Sequence, residues 1–106
     1  MDTVLMDTHD FFEMLYQKYN IVMFEQTSNR LKRNYIGEIF TMYGERYLLL
    51  VEVVQGKTLV RVLKATGQQR VCVFQKMYST VNDKKALSKS ISLFNYLDKL
   101  LYCSVM

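Results

Sequence analysis

Residues able to act as nucleophiles or metal ligands are scarce in this chain: one histidine, His9, and two cysteines, Cys72 and Cys103. Nucleophilic catalysis needs a thiol or hydroxyl activated by a base held close to it, and neither cysteine has a neighbouring histidine–aspartate signature. A zinc site needs four ligands, and His9 lies about sixty positions from Cys72, so these three residues do not complete one. No glycine-rich phosphate cradle of either common pattern occurs, and no motif places a pair of carboxylates. The sequence therefore assigns no catalytic residue, metal or cofactor, and the expected class is a non-enzymatic binding protein.

Cations are the better lead. Arg30, Lys32 and Arg33 crowd one polar stretch, Lys57 follows a glycine, Arg70 opens an apolar run, and Lys84, Lys85 and Lys89 mark the start of a helical pattern. If folding gathers them on one rim, they form a surface for phosphates, and exposed Tyr35, Tyr43, Tyr47 or Tyr78 beside them would stack on bases. Residues 1–27 hold five acids against Lys18, a net of −4, whereas residues 28–106 hold thirteen bases against five acids, a net of +8. Such a field steers anionic partners. The expected ligand is RNA or DNA. The alternative is a protein-binding inhibitor or adaptor that docks a basic face on an acidic protein surface, and a third possibility is a homodimeric structural subunit.

Composition bounds the setting. Proline is absent, alanine occurs only as Ala65 and Ala86, and lysine, tyrosine, phenylalanine and methionine are plentiful, a usage that fits an AT-rich genome such as that of a phage or mobile element. Half the residues are hydrophobic, enough for one core, so a single domain over 1–106 is expected. The longest apolar run, Tyr47 to Val54, is broken by Glu52 and falls short of a membrane span. Met1 to Asp10 has neither the basic nor the apolar region of a secretory signal, so a cytoplasmic location with reduced thiols is expected. Cys103-Ser104-Val105-Met106 has the form of a prenylation box, but no polybasic tract precedes it.

Several elements must position these residues. Phe11, Phe12, Met14, Leu15 and Tyr19 recur at helical spacing, with Asp7 or Thr8 as cap and Asn20 as a left-handed stop. Ile21 to Thr27 reads as a short strand and Ser28 to Asn34 as its loop. Four β-type segments follow, Tyr35–Tyr43, Arg46–Val54, Thr58–Lys64 and Arg70–Tyr78. Each is joined to the next by a short connection containing Gly44, Gly56 or Gly67, which forces antiparallel neighbours. Along them Val60 and Val62 oppose Arg61, Val71 and Val73 oppose Cys72 and Phe74, and Ile36 and Phe40 flank Glu38. One face thus reads as apolar, and the other, mixed, is the functional candidate. The apolar third segment should lie centrally, covered on both faces. A second helix runs from about Asp83 to Tyr102, capped by Asn82 or Asp83, with Leu87, Ile91, Phe94, Leu97 and Leu101 in one stripe and Leu93, Tyr96 and Leu100 broadening it. The expected fold class is α+β: an N-terminal helix, an antiparallel meander of four or five strands and a C-terminal amphipathic helix, with both helices packed on one sheet face.

The order helix, meander, helix, with Asn82-Asp83-Lys84-Lys85-Ala86 opening the last element, resembles the double-stranded RNA-binding domain, whose second helix starts with two lysines. Deeper in that helix the family's small residues are replaced by Ile91, Ser92 and Phe94. Leu59 through Leu101 is similar to the small RNA-binding proteins of the signal recognition particle, and Met42 through Gly56 to kinase-associated C-terminal domains. These three resemblances share strand-turn periodicity and imply architecture rather than a site.

Overall fold

The computed structural model describes residues 8–28, 32–54, 57–79 and 84–102. Helix α1 spans Thr8–Tyr19, and its residues Phe11, Leu15 and Tyr19, four apart, form one buried stripe. Asp10 stands in its first turn, where a carboxylate suits the positive end of the helix dipole. Asn20 ends it in the left-handed region at φ 59°, donating its N–H to the Tyr16 carbonyl at 2.8 Å while Ile21 donates to Leu15 at 3.2 Å. The left-handed stop expected at Asn20 is therefore present. Of the other candidate caps, Asp7, Asn82 and Asp83 lie outside the described residues, as does the side chain of Thr8; so do the Gly56 turn and Cys103 to Met106.

Five strands follow: β1 Phe24–Ser28, β2 Arg33–Phe40, β3 Arg46–Val54, β4 Lys57–Thr66 and β5 Gln69–Ser79. They pair only with sequence neighbours, all antiparallel, in the order β1-β2-β3-β4-β5. Short connections leave the chain no other partner. Gly44 (φ 81°) and Gly67 (φ 59°) supply the positive φ that the β2–β3 and β4–β5 turns need. Three expectations shift: the first strand starts at Phe24 rather than Ile21, Arg33 and Asn34 belong to β2 rather than to a loop, and β2 ends at Phe40 rather than Tyr43, leaving residues 41–43 in the turn. Residues 20–23 instead cross the sheet at Gly37, bringing Val22 O and Ile21 against the one residue of β2 without a side chain.

Helix α2 spans Lys84–Leu101 and follows β5. Its Leu93, Phe94 and Leu97 join Phe11, Leu15, Tyr19, Ile21, Ile39, Tyr47, Leu49, Val51, Val60 and Val62 in one core. Both helices thus cover the same sheet face, and the molecule is 20 Å through its thinnest direction, as two layers require. The broad apolar arc of α2 has a plain cause: Tyr96 packs on Phe74 of β5 (ring centroids 5.0 Å apart), while Phe94 meets Phe11 and Tyr19 of α1 (6.0 and 6.2 Å). Tyr19 locks the helix pair, its single hydroxyl proton shared between Asp98 Oδ1 at 2.8 Å and the Phe94 carbonyl at 3.0 Å. No helix among the described residues is long and apolar enough to cross a membrane.

The strand faces need two corrections. Ile36, Glu38 and Phe40 are two apart and share the face away from the helices, while Ile39 enters the core. In β5 a register shift opposite Val62 and Leu63 inserts an extra residue, so Phe74 pairs with Val62 on the core side and Cys72 with Leu63 on the other. Val71 and Val73, expected in the core, are both exposed: Val73 is the unpaired extra residue of the bulge, and Val71 keeps the core-side parity opposite Lys64 but lies uncovered near the start of the edge strand.

Candidate binding face

Antiparallel register puts paired residues on the same side of a sheet, so the helix-free face can be read row by row. One row holds Phe40, Arg46, Ala65 and Arg70; the next holds Glu38, Leu48, Leu63 and Cys72; the third holds Phe24, Ile36, Leu50, Arg61 and Gln75. Below them run Asn34, Glu52, Leu59 and Met77, then Val54, Lys57 and Ser79. Phe24 and Phe40 stand 63% and 62% exposed, and Met77 is also largely uncovered, yet Leu48 at the centre is only 1% exposed. β3 is thus covered on both faces at that point, as its continuous apolar sequence requires.

Charges on this face are largely paired. Arg46 donates through Nε to Glu38 Oε2 at 2.8 Å, with Nη2 2.6 Å from the same oxygen. Glu52 takes Lys32 Nζ at 2.7 Å on Oε2 and faces Arg61 Nη2 at 3.8 Å from Oε1. Gln26, Lys32, Asn34, Leu50, Glu52, Leu59 and Arg61 line a depression of about 200 Å³ there. Lys57 and Arg70 occupy the β4–β5 side without an ion pair among the described residues. Counting Lys32, five cations share the face with two carboxylates.

Among the described residues, the cations singled out from sequence do not converge on one rim. Lys57 pairs with Ser79 at one end of the sheet and Arg70 with Ala65 at the other. Eight residues of β4 separate the two positions, about 27 Å at roughly 3.4 Å per residue. Arg33, at the Lys57 end, pairs with Val53 and is exposed. Lys84 and Lys85 begin α2 after β5 ends near Lys57, so the topology brings these backbone positions to the same end. The side chains of Lys84, Lys85 and Lys89, and Arg30 altogether, lie outside the described residues. Neither tyrosine presents a largely exposed ring beside these cations. Tyr35 faces the helices and packs edge-on against Phe12 at 4.7 Å, because its parity in β2 is that of Ile39. Tyr43 is 73% exposed but sits in the turn at the end remote from Lys57. Of the other two tyrosines considered for stacking, Tyr47 is a core residue and the side chain of Tyr78 lies outside the described residues.

Phe24, Phe40, Glu52 and Arg61 were not among the candidates drawn from sequence. A strict two-residue count along β4 would have gathered Lys57, Leu59, Arg61 and Leu63 on one face. Phe24 carries no such signal, since β1 is short and irregular between Glu25 and Thr27. β5 is a long edge strand, which invites pairing with another chain; its bulge and its Arg70 and Lys76 side chains blunt that tendency. Cys72 is an exposed free thiol on this edge, its Sγ 3.4 Å from the Phe74 carbonyl. Among the described residues no group of three His, Cys, Asp or Glu side chains could hold a metal ion.

Fold and face together define a two-layer α+β protein whose five-stranded antiparallel meander is backed by both helices on one side, with no helix among the described residues on the other. No protein-family model matches the chain, and neither the curated proteins nor the solved structures contain a match to it. Its function has to be argued from its own residues.

Proposed function

We propose that this chain is a small non-enzymatic binding module that docks another protein on the helix-free face of its sheet. One observation carries the reading: Phe24 and Phe40 stand more than half exposed on a rigid sheet beside Ile36, Leu50, Leu59 and Leu63, with helices on the other side only. A large apolar patch rimmed by polar groups is what protein interfaces use, and a sheet holds it without the entropy loss of ordering a loop. Glu38 and Glu52 lie within the patch and would repel a nucleic-acid backbone crossing it. Stripe-to-stripe dimerisation through α2 has less support, because Leu93, Phe94 and Leu97 are already spent on the core.

RNA or DNA binding is a second reading, favoured by Arg33 and Lys57, exposed at the end of the sheet where Lys84 and Lys85 begin α2. The two readings separate in one experiment. A photo-reactive phenylalanine analogue replaces Phe40 in one sample and Tyr16, on the helix side, in another, and each is irradiated in nuclease-treated lysate of the source organism. A discrete protein adduct formed from position 40 and not from position 16 is expected. Adducts at neither position, together with tight, steeply salt-dependent binding of a 20-nucleotide RNA that Arg33→Ala and Lys57→Ala weaken, would replace this reading by the second.

A further inference from the structure

At the Lys32–Glu52–Arg61 depression two cations face one carboxylate. Lys32 takes the close position, 2.7 Å from Glu52 Oε2, whereas Arg61 Nη2 remains 3.8 Å from Oε1, beyond hydrogen-bonding distance. A guanidinium carries five N–H donors in a fixed fork, and no hydrogen bond occupies those of Arg61 among the described residues. Among the described side chains the local charge is one positive in excess; Lys57 and Arg70 on the same face add to the positive field, whereas Arg46 is neutralised by Glu38. Leu50 and Leu59 line the same depression, so an arriving group meets a forked donor and an apolar wall together.

Resting on the protein-docking reading above, we propose that this depression receives an aspartate or glutamate side chain from an acidic, apolar-faced segment of the partner. A second carboxylate completes a balanced set of two cations and two anions. It accepts the planar fork of Arg61 in the bidentate geometry that carboxylates match, while neighbouring apolar residues of the segment cover Leu50, Leu59 and Met77. Charge complementarity selects the occupant: a basic or neutral segment leaves the excess cation uncompensated in a partly dehydrated interface, which costs affinity. A second copy of this chain docked through the same face would bring the same cation excess and oppose itself.

The test pans a display library of random 16-residue peptides on the nuclease-treated full-length protein and measures the enriched peptides by fluorescence anisotropy. Acidic peptides are expected to win. Changing one of their carboxylates to the amide should weaken binding about tenfold, and that loss should vanish on Arg61→Gln, a double-mutant coupling. Arg61→Lys keeps the charge without the fork and should recover only part of the affinity, which guards against a fold defect in Arg61→Gln. Neutral or basic peptides that lose binding on Phe40→Ser but not on Arg61→Gln would overturn the carboxylate assignment and leave the docking face intact. Peptides indifferent to both substitutions, or no peptide directed to the face, would overturn both. So would Arg61-dependent displacement of the peptides by a 20-nucleotide RNA, which would assign the cations to phosphate.

Discussion

Gly37→Ala tests the crossing that joins α1 to the sheet. A methyl placed at Gly37 would lie 2.6 Å from Met23 Sδ, 3.0 Å from Val22 O and 3.1 Å from Ile21 Cγ2. The sulfur is the far end of a flexible side chain and can swing away at little cost. The other two contacts are harder to relieve, because Val22 O is backbone and Ile21 is a buried core residue. Overpacking of this kind costs about 1–3 kcal/mol. Alanine also shortens the list of unfolded conformations, which returns about 0.4–1 kcal/mol. The balance runs from about zero to a loss of about 2.6 kcal/mol, or a melting temperature lower by up to roughly 20 °C for a domain of this size. Urea unfolding followed by circular dichroism should show a lower midpoint with an unchanged slope. Greater stability would mean that residues 20–23 do not press on β2 as described, and the placement of β1 beside it would fall with that contact.

Tyr19 is held by two hydrogen bonds, and burial, followed by the bond to Asp98, pushes its pKa well above the ordinary tyrosine value. The unfolded chain then loses this proton first, so the stabilisation is complete below about pH 10 and is lost as pH rises beyond it. Tyr19→Phe should cost about 1–2 kcal/mol at neutral pH and flatten the alkaline decline of the unfolding midpoint; an unchanged decline would refute the assignment. Asn20→Gly should keep or raise stability, whereas Asn20→Val should lower it by about 1–2 kcal/mol, since a β-branched residue resists the left-handed conformation; equal melting curves for the two would count against the helix stop. Leu48→Ala should cost about 2–5 kcal/mol although Leu48 lies on the helix-free face. A cost near zero in calorimetry would mean that this face is loosely packed and a poor platform for docking.

Much of the architecture was legible before any coordinates. β3 has the bounds Arg46–Val54 read from its apolar run, and the helices begin and end within a residue or two of the capping signals. Glycines at the short connections dictated a meander, because two or three residues can only return a strand antiparallel to its neighbour. Local chemistry suffices for these features, since each depends on residues only a few positions apart. The candidate site was less legible, because it depends on which strand lies beside which and in what register.

Sequence by itself determined an antiparallel sheet with two amphipathic helices, a basic body and few groups for catalysis, all of them sums or short-range patterns. Tertiary structure decided where the charges went. Lys32 meets Glu52 only because β2 lies beside β3, and the β5 bulge hands Phe74 to the core and Cys72 to the bare face. Arg70 and Lys57 were separated by the length of β4, and Tyr35 was turned into the core by the parity of one strand. Strand pairing converts positions twenty residues apart into neighbours and a one-residue bulge into a change of face, and neither event leaves a mark in the composition of the segments that undergo it.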